Sequence, residues 1–423
     1  MKTSFLCGLA LSLASTASAQ TTALIGARVI DGRGAVIERA TIIVRDGRIA
    51  AVGPVESTTV PDGAERIDVS GSTIMPGLVN AHGHLTSAIG MRNDPNGGSR
   101  ENQLRQLGTY AQYGVTTVFS LGDESEAALQ LRREQDKGPF DGARLFVAGP
   151  VINGTTAEAA RAMTDKVAAM KPDLIKIRID DNLGSAPKMP EGAWRATIER
   201  AKELKLPVAV HIFYLADAKA ALLAGASLIA HSVRDAPVDP GFVRELKARN
   251  ACYSPTLMRE VSTFVYGSTP SWARNPFFLQ GAGAAAGDEV SDPSRQATVQ
   301  ASAAYKTGLR YKEALDVAKR NLKTLSDAGV RIAMGTDTGP AGRWQGFFEH
   351  LELEMMVESG MTPMQVLVAA TSAAAECHGK GAEFGSIRPG ASADLLVLAA
   401  NPLEDIRNTR QIKSIWLAGR RIK

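Results

Sequence analysis

Between about Gly77 and Ala370 the chain alternates short β-branched runs with amphipathic stretches of helical period. The runs expected to be strands are Val115 to Phe119, Arg144 to Val147, Leu174 to Ile177, Val208 to Val210, Ser227 to Ala230, Ala251 to Ser254 and Ile332 to Met334, preceded by one that ends at His82. That makes eight, each followed by room for a helix, as in Arg195 to Leu204 and Asp217 to Ala224. Eight parallel strands with helical crossovers predict an α/β architecture, a (β/α)8 TIM-like barrel, whose chemistry sits at the C-terminal ends of the strands. The connection from Leu257 to Tyr311 is too long for a simple crossover and predicts a lid, a binding loop or extra helices.

Both flanks read differently. Leu24 to Ile30, Thr41 to Val44 and Ile49 to Val52 are apolar runs separated by Asp31-Gly32-Arg33-Gly34 and Asp46-Gly47, the signature of antiparallel hairpins. Asp394 to Leu398 and Ser414 to Leu417, with a turn at Ala418-Gly419, repeat it at the other end. The expectation is a small β-sandwich built from residues 20–75 and 376–423 around a barrel of residues 76–375. Residues 1–19 stand apart: Lys2, an apolar stretch from Phe5 to Leu13, and Ala17-Ser18-Ala19 before Gln20 read as a secretory signal peptide, too short to span a membrane. The mature chain is therefore expected in a periplasm or outside the cell, with no membrane association. Cys7 lies too early for a lipid-attachment cysteine.

At 423 residues the chain accommodates a barrel plus a smaller domain. Losing Lys2 with the leader takes the formal charge from +4 to +3, spread without a basic block, which excludes a nucleic-acid footprint. Only Cys252 and Cys377 remain in the mature chain, and two cysteines in a protein this size read as two buried thiols rather than a disulfide scaffold.

Candidate chemistry falls on the strand ends. In His82-Gly83-His84 two imidazoles separated by one residue on an extended chain face one volume, and neutral imidazole is the commonest protein ligand for zinc and its neighbours. Lys176 lies in the fourth strand, His211 and His231 end the fifth and sixth, and Asp337 follows the eighth. Taken singly, each has an ordinary structural role: Lys176 reaching the rim or pairing with Asp180, Asp337 capping a helix, His211 and His231 bonded to backbone carbonyls. His350 and His378 fall in helical stretches and are assigned to surface or capping positions.

The ordered set of segments resembles the metal-dependent amidohydrolase superfamily, the urease-related barrels, and within it exported imidazolonepropionase- and prolidase-like members. The similarity is carried by Pro76-Gly77-Leu78-Val79-Asn80-Ala81-His82-Gly83-His84, Gly114-Val115-Thr116-Thr117-Val118, Asp173-Leu174-Ile175-Lys176-Ile177, Val208-Ala209-Val210-His211, Ala230-His231-Ser232, Gly335-Thr336-Asp337-Thr338 and the returning segment Gly385 to Leu395. It implies a two-metal site in which His82, His84 and Asp337 hold one divalent ion, His211 and His231 the other, and a carboxylated Lys176 bridges them. Zinc is the first candidate, with manganese, cobalt or iron behind it. Two such ions roughly 3.5–4 Å apart activate a shared water and polarise a carbonyl, leaving Asp337 as general base.

The implied reaction is hydrolysis of a C–N amide bond in a small molecule such as an N-acyl amino acid, a dipeptide-like compound or an aryl amide. The same site suits a lactone, carbamate or phosphotriester as the alternative. A closed, non-catalytic metal site is disfavoured by Asp337, since structural zinc sites use Cys and His ligands. Tyr214, three residues after His211, is a candidate contact for the substrate carbonyl or oxyanion, with packing at the barrel mouth as the other reading. Arg178 is expected to pair with Asp180. Phe264, Tyr266, Trp272, Phe277, Phe278, Trp344, Phe347 and Phe348 either line an aromatic mouth or pack the lid's own helices. The span Arg178 to Pro190 lacks the glycine-rich stretch of many dipeptidases, which weighs against a peptidase. Self-association as a homo-oligomer is left open.

Overall fold

A computed structural model describes residues 21–138 and 140–423, so the expected leader lies outside the described residues. Thr21–Ile30 pairs antiparallel with Val36–Arg45, which pairs in turn with Arg48–Pro54. Asp46 and Gly47 both take positive φ, 51° and 76°, the backbone that a two-residue hairpin turn requires. In the earlier loop the Asp31 carboxylate accepts from the amides of Arg33 and Ala35 at 2.7 and 2.9 Å, which fixes the bend that the glycines permit. Thr73–Pro76 runs parallel to the first strand and antiparallel to Leu395–Leu398, which pairs with Ile412–Leu417. Strands from both ends of the described chain thus share one sheet. It is a single eight-stranded mixed sheet rather than two separately paired layers. Leu24, Ile42, Ile74, Leu395 and Trp416, drawn from both ends, are buried together in its own apolar cluster.

The rest of the fold is α/β and TIM-barrel-like. Leu78–Gly83, Val115–Ser120 and Arg144–Val147 form one parallel sheet; Ile175–Arg178, Val208–His211, Leu228–Ala230 and Cys252–Ser254 form another. Single bridges continue the pattern between them, Ile152 with Ile177 and Tyr253 with Ile332. The amide of Ala81 also donates to Met334 O at 2.8 Å. Seven of the eight expected strands are present; Ile332 to Met334 makes one bridge only. The reason lies in its donors: the Met334 amide goes to Ala369 O, at the end of helix Pro363–Ala369, instead of to a neighbouring strand. These strands are buried on both faces, which is why they read as continuous apolar runs and not as alternation.

The long connection becomes extra helices, Leu257–Ser262, Pro276–Ala282, Ala284–Ser291, Pro293–Ala301 and the start of Ala303–Asp327. Asn275, Asp292 and Ser302 supply side-chain caps to three of them. No helix among the described residues is long and apolar enough to cross a membrane.

Cys252 and Cys377 form a disulfide, with Cα atoms 5.9 Å apart across 125 residues of sequence, correcting the expectation of two free thiols. The start of the seventh strand and the end of helix Ser372–Cys377 meet in space, a juxtaposition that spacing alone does not reveal. Closing so long a loop restricts the unfolded chain. Replacing both cysteines with serine is expected to lower unfolding stability by about 2–5 kcal/mol in urea titrations; an unchanged midpoint would contradict that.

Candidate active site

The run Leu78–Gly83 is wholly buried, and its pleat sets Asn80, His82 and His84 on one side. Asn80 is locked from behind: its amide donates to Glu349 Oε1 at 2.6 Å and Thr336 Oγ1 at 2.9 Å, and its Oδ1 accepts the His82 amide. The segment carrying Asp337 crosses directly over this strand. Gly335 is required there, because a Cβ would stand 2.7 Å from His82 Cβ and 2.4 Å from Ser254 Oγ. Asp337 itself takes φ 58° and donates its amide to His82 O, turning its carboxylate back onto the two histidines. Asp337 Oδ1 lies 2.7 Å from His84 Nε2 and 3.5 Å from His82 Nε2.

The other expected ligands converge from the second sheet. Lys176 Nζ is 3.3 Å from His82 Nε2. The His231 ring lies 4.6 Å from that of His82 and 4.0 Å from that of His211, centroid to centroid. Thr256 Oγ1 holds His231 Nδ1 at 2.7 Å, and both residues have positive φ, so the sixth and seventh strands end in paired tight turns. His211 Nε2 sits 3.3 Å from Asp180 Oδ2, and Asp180 is oriented by Arg178 Nε at 3.1 Å, the pairing expected for Arg178.

Burial sets the charge states. It pushes His82 and His231 well below the usual imidazole range and His211 down to about 4, so all three are neutral bases at physiological pH. Burial likewise lowers the Lys176 ammonium to about 8, against the pull of Asp337, Glu124 and Asp180. For Asp337 burial acts upward, but Arg343 and the two histidines outweigh it and hold the carboxyl well below its ordinary value. His82, His211 and His231 are thus neutral imidazoles beside a weakly held ammonium proton and the Asp337 carboxylate.

These residues fit metal ions. His82, His84 and Asp337 offer ligand atoms within 4.8 Å of one another. His82 Nδ1 is buried without a hydrogen-bond partner among the described residues, a costly arrangement for a purely structural histidine, whereas His211 Nε2 faces the Asp180 carboxylate.

Tyr214 is not brought onto the cluster: its hydroxyl donates to Asp181 Oδ1 at 2.9 Å and its ring carries Lys188. Of the two readings for the aromatic residues, packing under the lid helices holds for most of them. Tyr266, Trp272, Phe278, Phe347 and Phe348 are buried and pack edge-on or tilted against one another, filling the space under the extra helices, while Trp344 is only half-buried. The sequence reading missed Arg343, whose guanidinium pairs with Asp337 Oδ2. A lone arginine six residues beyond Asp337 in a glycine-rich turn was the only signal.

His378 caps helix Ser372–Cys377 and bonds Ala81 O at 3.0 Å. His350 is not at the surface: it is buried, with Nε2 donating to Tyr113 O at 2.8 Å. Helix Phe347–Glu358 is flanked by packed elements, so its sequence gave no exposed face for the histidine. Burial lowers the His350 imidazolium to about 3. An unfolded chain therefore takes up a proton below about 6.5 that the folded protein refuses, and stability, full above that pH, falls by up to about 1.4 kcal/mol per unit of acidification. His350→Gln in chelated protein should be less stable at pH 7 yet lose less than the parent between pH 7 and 5 in urea titrations. Equal losses would contradict the assignment.

With this geometry in place, the comparisons are direct. The Amidohydrolase family pattern matches residues 73–422, and the chain belongs to that family of metal-dependent hydrolases acting on C–N bonds. It is similar to ochratoxinase of Aspergillus niger, 42% identical over 101 residues, although that match spans only 23% of this chain and 20% of the ochratoxinase. It is similar at 24% identity to imidazolonepropionase of Streptomyces avermitilis, over 92% of this chain and 88% of the relative. Among solved structures, a putative prolidase from Bifidobacterium longum superposes with a TM-score of 0.76 at 27% identity, covering 95% of this chain and 94% of the other.

Proposed function

We propose that this chain is an exported, two-metal hydrolase that cleaves the C–N bond of a small amide: an N-acyl amino acid, a dipeptide-like compound or an aryl amide. The observation that carries the proposal is the convergence of His82, His84, Lys176, His211, His231 and Asp337, from four strands of two sheets and the bridged segment before Asp337, on one buried volume. His82, His84 and Asp337 would hold one divalent ion and His211 and His231 the other, zinc being the first candidate. Bound there, the ions supply Lewis acidity for the carbonyl and a lowered pKa for water.

The remaining chemistry is the protein's. Asp337, a carboxylate at neutral pH, takes a proton at one Oδ from the attacking water and delivers it to the leaving nitrogen. Its unusual φ and its contact with His84 keep that oxygen at the strand ends. Lys176, with its ammonium lowered to about 8, has enough free amine near neutral pH to add carbon dioxide, losing a proton and becoming an anionic carbamate. That conversion would replace a buried cation with an anionic oxygen donor suited to holding divalent ions.

The two parallel sheets are read here as parts of one (β/α)8 barrel over residues 76–375, and the terminal sheet as a β-sandwich of residues 20–75 and 376–423. Residues 1–19 are proposed to be a cleaved signal peptide. The Cys252–Cys377 disulfide supports export, because such bonds persist in oxidising compartments.

The test is hydrolysis by the zinc-loaded chain, residues 20–423, of N-acyl amino acids, dipeptides, aryl amides, lactones and phosphotriesters, read by mass spectrometry. Cleavage of amides at rates well above the other classes is expected. Preferential cleavage of lactones or phosphotriesters would keep the site and overturn the substrate class.

A further inference from the structure

A cavity of about 410 Å³ opens beside the cluster, within the size range of small-ligand pockets. Gly339, Arg343, Trp344, Arg105 and Ala286 are among its walls. None of the six candidate ligand side chains is on its wall; it meets the site through Gly339 and Arg343. A Cβ on Gly339 would stand 2.3 Å from His84 O, and Arg343 both lines the cavity and pairs with Asp337.

Its charge is lopsided. Arg343 donates Nη1 to Asp337 and Nε to Ser262 Oγ at 3.1 Å, leaving Nη2 without a hydrogen bond among the described residues. Arg105 is held only by Asn102 Oδ1, at 3.0 and 2.6 Å from Nε and Nη2, and it has no carboxylate partner among the described residues. Partial burial lowers its guanidinium from the usual value. The one acid on the wall, Glu289, is already paired with Arg295 at 2.8 Å. Arg105, without a carboxylate partner among the described residues, and the unused Nη2 of Arg343, whose Nη1 is taken by Asp337, face a common space and favour a planar anion that can accept two hydrogen bonds, which is a carboxylate.

Position then says which half of the substrate brings it. In the reading above, Asp337 protonates the leaving nitrogen, so whatever that nitrogen carries must lie on the Asp337 side, where the cavity begins. We propose that this cavity receives the leaving amino acid of an N-acyl amino acid, its carboxylate between Arg105 and Arg343 and its side chain against Trp344. The inference rests on the hydrolase reading for the direction of cleavage. Water oxygen bonds to the carbonyl carbon, the C–N bond breaks, and the water's protons end on the leaving amine and the new acid. The free amino acid departs through the cavity.

Two readouts test this. Kinetics of the zinc-loaded enzyme on N-acetyl-phenylalanine and on its C-terminal carboxamide should favour the acid by at least about tenfold in kcat/KM. In Arg105→Gln that ratio should fall to within about twofold, through KM more than kcat, with Arg105→Lys recovering part of it. Separately, calorimetry on metal-free protein should show 3-phenylpropanoate binding more tightly than 3-phenylpropanamide, a difference that Arg105→Gln abolishes. Hydrolysis of both substrates at equal efficiency, with no binding preference, would overturn the cavity assignment and leave the hydrolase reading standing. A binding preference without hydrolysis of any amide would do the reverse.

Discussion

Asp337→Asn lowers kcat for amide cleavage by about 10²–10⁴, the range expected for removing a general acid–base. The substitution keeps size and shape at a buried position where the backbone, at φ 58°, already favours Asp or Asn. What disappears is the negative charge and the proton acceptor 2.7 Å from His84 Nε2, and with them the partner of Arg343. The expected variant is folded, with a circular dichroism spectrum like that of the parent, and nearly inert at every pH. A variant retaining parental kcat would remove Asp337 from the chemistry and leave it as a turn residue that happens to touch two histidines.

Lys176→Ala is expected to lose metal as well as activity. The Nζ lies 3.3 Å from His82 Nε2 and is buried, so truncation leaves a hole between the two groups of histidines and no anion to join them. The measured metal content should fall from about two ions per chain to one or fewer, with kcat down by a further factor on the order of 10² or more. Because a short carboxylate can enter the space the side chain vacates and supply the missing pair of anionic oxygens, formate or acetate added to this variant should restore part of the activity. Parental metal content and turnover in Lys176→Ala would refute the bridging role, although His82, His84 and Asp337 would still mark a one-metal site.

Much of this site was legible because its residues are tied to strand ends. Once β-branched runs are placed as strands, His82, His211 and His231 fall at their C-terminal ends, and Lys176 faces the same volume by the two-residue period. Hairpin turns were equally readable, since Asp46-Gly47 suits the positive φ both residues adopt and Gly419 marks the second turn. What escaped depends on contacts between distant segments. The eighth strand is reduced to a bridge by the pull of Ala369 O, which no local pattern announces. Cys252 and Cys377 meet only because a strand start and a helix end share one end of the fold. Tyr214 stands three residues from His211, but Asp181, from another connection, captures its hydroxyl. The aromatic residues were assigned to either a mouth or a lid core from composition alone, and mutual packing decided for the core.

The most direct test of the central claim is a metal titration of the chelated chain, residues 20–423, following amide hydrolysis against bound zinc measured by mass spectrometry in the native state. The account predicts no hydrolysis without metal and activity that rises to saturation at two ions per chain, with added bicarbonate sharpening the second step. Full hydrolysis by the metal-free protein, or saturation at one ion regardless of bicarbonate, would contradict it.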